Sequence, residues 1–301
     1  MSQSLEGKPS IFSKFRLPSK FSLSVTWMMD NKMILRACYI TNRGKVRINN
    51  EDCVLINQLL LSEADMQDVQ CQLSSEEVQI HALADGMGGH AKGELASRSV
   101  LTAFKEKYRE IKHTDDIWNI VRLARENLNS LVRSDREKFG LGTTISGLLF
   151  KNRRAFVFSC GDSRIYMYSQ SRLKRITKDH SLVQELVDSG IITEEEMRFH
   201  PQKHILVSSV MGDLRSDPPD LFLKEIEIAE GERFLLCSDG LWESMSKDEM
   251  ERCLAKEDLG HAGDCLFKQA MARDAPDNIS FIVLEVLDLN RQNGLCHQTA
   301  R

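Results

Sequence analysis

The sequence predicts an α+β fold built on antiparallel sheets, and three observations carry that expectation. Strand-length apolar runs are interleaved with pairs of amphipathic helices instead of alternating with them one for one. Some of these runs alternate in polarity with period two, as half-buried strands do, and others are continuously apolar, as doubly covered strands are. No internal repeat is visible, and no apolar run approaches the roughly 18 residues of a spanning helix. The 301 residues, 42% of them hydrophobic, suffice for one large core or two modest ones, and one principal domain is the simplest count.

Taken in order, residues 1–30 mix Lys14, Arg16 and Lys20 with Phe12, Phe15 and Phe21 and follow neither periodicity, so they are expected to form a flexible basic arm. A membrane-surface or partner-binding arm is the alternative. Strand patterns follow in MILRACYI, DCVLI and VQIHALAD, with the acidic 57–77 segment as a hairpin loop or extended connection. Two helices come next. One places Leu95, Val100, Leu101, Phe104 and Tyr108 on one face; the other does so with Ile117, Ile120, Val121, Ala124, Leu128 and Leu131, capped by Thr114 or Asp115.

A second block of strands (TTISGLLF, AFVFSC, RIYMYS) leads to the helical SLVQELVDSG and to a loop with a short helix over 194–204. LFLKEIEIA and RFLLCSD read as strands. Ser246 and Glu249 form a capping box for KDEMERCLA, a helix spans roughly 261–273, and NISFIVLEVL closes the domain as a strand. The expected organisation is an arm over 1–30, a domain over 31–288 and a tail over 289–301.

Charge and cysteine content narrow the function. The first fifty residues hold nine Lys/Arg against Glu6 and Asp30, so the net −4 of the chain leaves about −11 for the remainder. No nucleic-acid partner is expected. The start lacks a charged region followed by an apolar one, which predicts a soluble, cytoplasmic protein. Eight scattered cysteines without a C-x-x-C pair predict reduced thiols, with Cys160 and Cys237 as small core residues. Neither is followed six positions later by arginine, so a cysteine-phosphatase arrangement is missing, as are H-E-x-x-H and a Walker-type loop.

A different pattern recurs at strand ends. HALAD-Gly86 and FLLCSD-Gly240 each close an apolar run on Asp-Gly, NNED opens a strand with Glu51 and Asp52, and PDN sets Asp277 before another. One Asp-Gly is most often a turn. Several acids without matching histidines or paired thiols suggest instead a hard-cation site of all-oxygen ligands, in which a neighbouring glycine lets its carbonyl approach closely.

RINNED, ADGMGGH, GTT, CGDSR, KDHSLV, LLCSDGLWE and PDNIS occur in this order between Tyr39 and Val286. The set resembles the metal-dependent serine/threonine protein phosphatases of the protein phosphatase 2C type, most closely their bacterial branch. The resemblance implies a four-layer αββα sandwich of two antiparallel sheets with helices outside. It implies two tightly bound Mn²⁺ or Mg²⁺ ions: Asp85 bridges them, the Gly86 carbonyl, Asp239 and Asp277 complete one shell, and Asp52 with Glu51, through water, holds the other. Asp162 is implied as ligand of a third, weaker ion, and Arg47 as the clamp on the substrate phosphate.

The chemistry asks for such parts whatever the name. Phosphomonoester hydrolysis needs an aimed water and charge neutralisation, with little covalent work for the protein. A planar guanidinium suits the phosphate better than an ammonium. His90 is a candidate general acid for the leaving alkoxide, with a metal-bound water as the alternative; the eukaryotic branch has its histidine where this chain has Met87, and the other role for His90 is holding the glycine loop. His180 is expected to be structural.

Lys92, Ser208 and Ser209 depart from the bacterial pattern and bear on substrate preference. The 182–210 segment resembles the family's flap, where Glu194, Glu195 and Glu196 either favour basic substrate surroundings or form a solvated face. The implied partners are phosphorylated proteins and a cognate Ser/Thr kinase or its targets. A binding-only pseudophosphatase is the alternative; it would be expected to lack one of Asp52, Asp85, Asp239 or Asp277, and all four are present.

Overall fold

The computed structural model describes residues 33–87, 92–214 and 218–289. Its elements in chain order are β1 (Ile34–Asn42), β2 (Cys53–Ile56), β3 (Leu59–Ser62), β4 (Gln70–Ser74), β5 (Val78–Ala84), β6 (Gly86–Met87), α1 (Gly93–Lys107) and α2 (Thr114–Ser134). There follow β7 (Gly142–Thr143), β8 (Ile145–Lys151), β9 (Arg154–Cys160), β10 (Arg164–Ser169), β11 (Arg172–Arg175), α3 (Leu182–Asp188) and α4 (Glu194–Met197). The chain closes with β12 (Val210–Met211), β13 (Phe222–Glu227), β14 (Arg233–Cys237), α5 (Asp239–Trp242), α6 (Lys247–Leu254), α7 (Leu259–Met271) and β15 (Ile279–Asp288). The expected arm over 1–30 and nearly all of the tail lie outside the described residues.

Two six-stranded sheets, ordered β11-β10-β14-β15-β1-β4 and β13-β9-β8-β5-β2-β3, form the centre, and a small sheet β12-β7-β6 lies apart from them. All their ladders are antiparallel. Side-chain alternation sorts the apolar residues into layers. Ile80, Ala82 and Ala84 of β5 point outward to Val100, Phe104, Ile120 and Val121 of α1 and α2. Leu83, Val54, Leu148 and Val157 point inward to Leu35, Ile165, Phe234 and Ile282 of the other sheet. The far face of that sheet, with Cys38, Ile40, Leu235 and Phe281, is covered by Trp242, Met250, Leu254 and Leu266. Helix, sheet, sheet and helix make the expected four layers.

Three local expectations are corrected. The 57–77 segment contains two strands, because β2 turns into β3 through Asn57, whose positive φ of 54° suits asparagine and whose Oδ1 accepts from the Ile80 amide at 2.9 Å. The polar QCQLS of β4 is a half-exposed edge paired only with β1, which is why its composition conceals it. Helix α2 is capped neither by Thr114 nor by Asp115. His113 is the capping residue, and the Asp116 carboxylate accepts from the amides of Lys112 (2.7 Å) and His113 (2.9 Å).

The third correction concerns sulfur. Cys38–Cys71 joins directly opposed residues of β1 and β4, and Cys253–Cys265 ties α6 to α7. Their spacings belong to no motif, so only the folded proximity reveals them. Cys160 and Cys237 are free and buried, as expected, as is Cys53.

One core residue breaks the apolar pattern. His81 faces inward on β5, fully buried, with its ring 6.0 Å from that of Phe150 and no hydrogen-bond partner on either nitrogen. Burial lowers its pKa to about 3. The unfolded chain binds this proton near pH 6.5 and the folded chain does not, so the group costs stability increasingly as pH falls from about 6.5 toward 3. His81→Leu is expected to raise stability by about 1–2 kcal/mol at pH 7. In thermal melts its advantage over wild type should widen as pH falls through that window; an unchanged or lower melting temperature contradicts the unpaired assignment.

Candidate metal centre

Strand register gathers the acids at one end of the sandwich. Cys53 lies opposite Ala84, which sets Asp52, just before one strand, beside Asp85, just after the other. Arg164 lies opposite Cys237, so the Gly161–Asp162 turn approaches Ser238 and Asp239. Cys237 also faces Phe281 on β15, and Asn42 faces Ile279, which brings Asp277 and the loop after β1 to the same edge. They surround a cleft of about 1320 Å³ whose lining includes Glu51, Asp85, Gly86, Asp162, Asp239 and Asp277.

Each acid is held through its backbone or its neighbours, leaving its oxygens largely available. The Asp85 amide donates to Thr144 Oγ1 at 3.0 Å, and its carbonyl accepts from the Thr144 amide (2.9 Å) and Thr143 Oγ1 (2.8 Å). Asp52 is fully buried below the cleft; Oδ2 accepts from Ser238 Oγ at 3.0 Å, and Oδ1 has no partner. The Asp162 carbonyl accepts from Trp242 Nε1 at 3.1 Å. That indole carries the Arg164 guanidinium 3.5 Å above its ring, and Arg164 makes a two-pronged, buried ion pair with Asp179. His180 is structural, as expected: its Nδ1 accepts from the Gly161 amide at 3.2 Å.

The loops are joined by one amide side chain that the sequence reading quoted without assigning a role. Asn278 Oδ1 accepts from the Glu51 amide (2.8 Å), while Nδ2 donates to the carbonyls of Arg43 (3.0 Å) and Asn49 (2.9 Å). Asparagine is the residue type that can donate and accept at once without adding charge. Asn50 does similar work, donating to Thr41 Oγ1 and the Ala64 carbonyl and accepting from the Asp52 amide. Close packing adds a second constraint: a Cβ on Gly86 would lie 2.3 Å from the Gly93 carbonyl oxygen and 2.6 Å from that of Glu51.

Electrostatically the cluster is unbalanced. Arg47 donates to Asp277 at 2.7 Å, Lys203 to Glu243 at 2.6 Å, and Arg273 to Glu249 at 2.6 Å. Among the described residues, none of Asp52, Asp85, Asp162 and Asp239 has a cationic partner within salt-bridge distance. Burial, opposed by hydrogen bonds from Ser280 and Ser238, raises the Asp52 pKa to about 7. Burial and then the charge of Asp179, opposed by Arg164, raise that of Asp162 to about 7. Asp85 is pushed well above the usual carboxylate range by burial and then by Asp52 and Asp239; Asp239 is raised by burial and then by Asp162. Burial and then Glu94 raise Glu51, against the pull of Arg47.

This donor set fits hard divalent cations. Oxygen ligands converge, one buried carboxylate oxygen lacks any protein partner, and the backbone at Gly86 admits no side chain. The structure therefore brings Glu51, Asp52, Asp85, Gly86, Asp162, Asp239 and Asp277 to one end, with Arg47 on the cleft wall. His90 lies outside the described residues. Ser238, Ser280, Thr143, Thr144 and Trp242 support the acids; all five stand inside the quoted motifs, where the sequence alone assigned them no role.

Asp85 is un-ionised in both folded and unfolded chains well below pH 3.8; above it, the raised folded pKa costs stability as pH rises. In EDTA, Asp85→Asn is expected to raise the melting temperature by about 5 °C or more at pH 8 and by less at pH 5. Melts of both proteins at the two pH values test this, and a destabilised variant at pH 8 overturns it.

Comparison with known proteins places these observations among relatives. A protein phosphatase 2C family profile matches residues 63–257. Serine/threonine protein phosphatase PstP of Mycobacterium tuberculosis H37Rv is 33% identical over 266 residues, 85% of this chain and 46% of PstP, so the chain spans about half of that relative. Serine/threonine phosphatase stp of Listeria monocytogenes EGD-e is 29% identical over 83% of this chain and 96% of its own length. The crystal structure of the PstP catalytic domain in complex with two manganese ions superposes with a TM-score of 0.69 at 30% identity, covering 85% of this chain and all of that one.

Proposed function

The chain belongs to the protein phosphatase 2C family, and from that premise we propose that it hydrolyses phosphoserine and phosphothreonine monoesters on proteins at a centre of two Mn²⁺ or Mg²⁺ ions. The observation that carries this reading is the convergence of Asp52, Asp85, Asp162 and Asp239 without cationic partners among the described residues, at a cleft of about 1320 Å³. Asp85, the Gly86 carbonyl, Asp239 and Asp277 are the residues that would hold one ion, and Asp52 and Glu51, with Asp85, those that would hold the other. When bound, the ions supply Lewis-acid activation of water and neutralise charge on the phosphoryl oxygens.

The chain's own residues do the rest. Arg47, now on Asp277, is available to turn its planar fork to a phosphate once that acid is otherwise engaged. Asn278 fixes the Arg47 loop relative to Asp277, so clamp and ligand move together. Asp162, whose carbonyl is held by Trp242, is the residue that would serve a third, weaker ion. Residues 31–288 form the catalytic domain in this reading, flanked by the basic arm and the tail. A serine/threonine kinase supplies the phosphoprotein, and its cytoplasmic products are the expected substrates. No described helix is long and apolar enough to cross a membrane.

Phosphate release from a phosphothreonine peptide should require Mn²⁺, stop in EDTA, and fall at least about 100-fold in Asp239→Asn. Near-normal turnover of that variant at saturating Mn²⁺ removes Asp239 from the ligands; no release by folded, Mn²⁺-loaded wild type overturns the function. Arg47→Lys should raise KM at least about tenfold, because a single ammonium cannot give the two parallel bonds. An unchanged KM excludes the clamp.

A further inference from the structure

Arg47 has neighbours that phosphate chemistry does not call for. Val46 and Ile48 stand on either side of it, 67% and 87% exposed, and both line the cleft. A single apolar side chain on a surface is ordinary. Among the described residues, however, these two are the only large, exposed apolar side chains on the cleft wall; Leu73, Phe139, Ile191 and Phe199 are exposed elsewhere.

The loop that carries them is fixed on several sides. The Gly44 amide donates to Asn42 Oδ1 at 2.8 Å, the Lys45 amide to the Ala275 carbonyl at 2.9 Å, and Lys45 Nζ to the Arg273 carbonyl at 2.9 Å. Asn278 holds the carbonyls of Arg43 and Asn49, one at each end of the stretch. A ligand that docks here therefore has little backbone left to order. The Lys45–Ala275 bond also brings alongside the loop of Pro276, another exposed residue of the cleft lining. The result is a preformed apolar ledge beside a guanidinium.

We propose that Val46 and Ile48 are specificity-determining residues: while Arg47 holds the phosphate, they receive an apolar side chain of the substrate that lies within two residues of the phosphorylated serine or threonine. The occupant follows from position. Clamp and ledge are consecutive residues, whose Cα atoms lie about 3.8 Å apart, so whatever covers the ledge belongs to the same short stretch of peptide as the phosphate. Covering it removes apolar surface of both partners from water, a gain that a polar or charged side chain at that position does not supply. The inference rests on the phosphatase reading and adds which phosphoproteins the site prefers.

The test uses the full, Mn²⁺-loaded chain and phosphothreonine peptides that carry either leucine or asparagine, which share a branched outline, at one of the two positions on each side of the phosphothreonine. At one or more of these positions kcat/KM should favour leucine at least about fivefold, chiefly through KM. Ile48→Asn should cut that ratio at least about threefold, and Ile48→Val should keep it. No leucine preference in wild type, or an Ile48→Asn variant that loses activity equally on both peptides, overturns the ledge. Sedimentation that finds a dimer dissolved by Ile48→Asn assigns the surface to a second copy and also overturns it. Affinity for the same peptides with a phosphonate in place of the phosphate ester, which cannot be turned over, is read by fluorescence anisotropy. Leucine preference in affinity without turnover of the phosphopeptides overturns only the phosphatase reading, and turnover without leucine preference overturns only the ledge.

Discussion

Carboxylates that repel one another at the end of an apolar sandwich are the constraint on which the rest of this structure depends. Asp52 is wholly buried, and Asp85, Asp162 and Asp239 are shifted toward protonation by burial before any neighbour is considered. Such a group costs stability unless positive charge joins it. The chain supplies little of that charge itself: Arg47 reaches Asp277, and the other cleft cations are committed to glutamates. The fold is thus arranged to need a cation, and the scaffold around the acids resists their repulsion.

That resistance comes from neutral groups more than from charges. Two threonines grip the backbone of Asp85, Ser238 donates to Asp52, and Asn278 ties together loops more than two hundred residues apart in sequence. Hydrogen bonds to the backbone hold position without using the carboxylate oxygens. The buried ion pair of Arg164 with Asp179 works indirectly: it braces the Trp242 ring, and the indole holds the Asp162 carbonyl. Charge is thereby kept in the buttress and withheld from Asp52, Asp85, Asp162 and Asp239.

Much of this was legible in the sequence because strand ends leave local marks. An apolar run closing on Asp-Gly is visible in a window of a few residues, and β5 and β14 both carry it. Edge strand β4 was not legible, since a polar strand with one neighbour has the composition of a loop. Nor were Cys38–Cys71 and Cys253–Cys265, whose pairing depends on ladder register and helix packing instead of spacing. Asn278 was read as part of a motif but not as a three-way connector, because its partners at 43, 49 and 51 lie across the whole chain. The histidine expected nearest the chemistry by sequence, His90, is outside the described residues.

The connector at Asn278 also sets a schedule for biosynthesis. β1 emerges from the ribosome first and β15 last, yet they are neighbours in one sheet, and the loop after the first strand is shaped by the residue that introduces the final one. The sheet that holds β2, β5, β8 and β9 can collapse onto helices α1 and α2 while the acid cluster is still missing Asp277. A product cut short before Asp277 therefore lacks one acid, the connector at Asn278 and the strand that stands between β14 and β1, so one of its two large sheets is left split as well as its site unfinished.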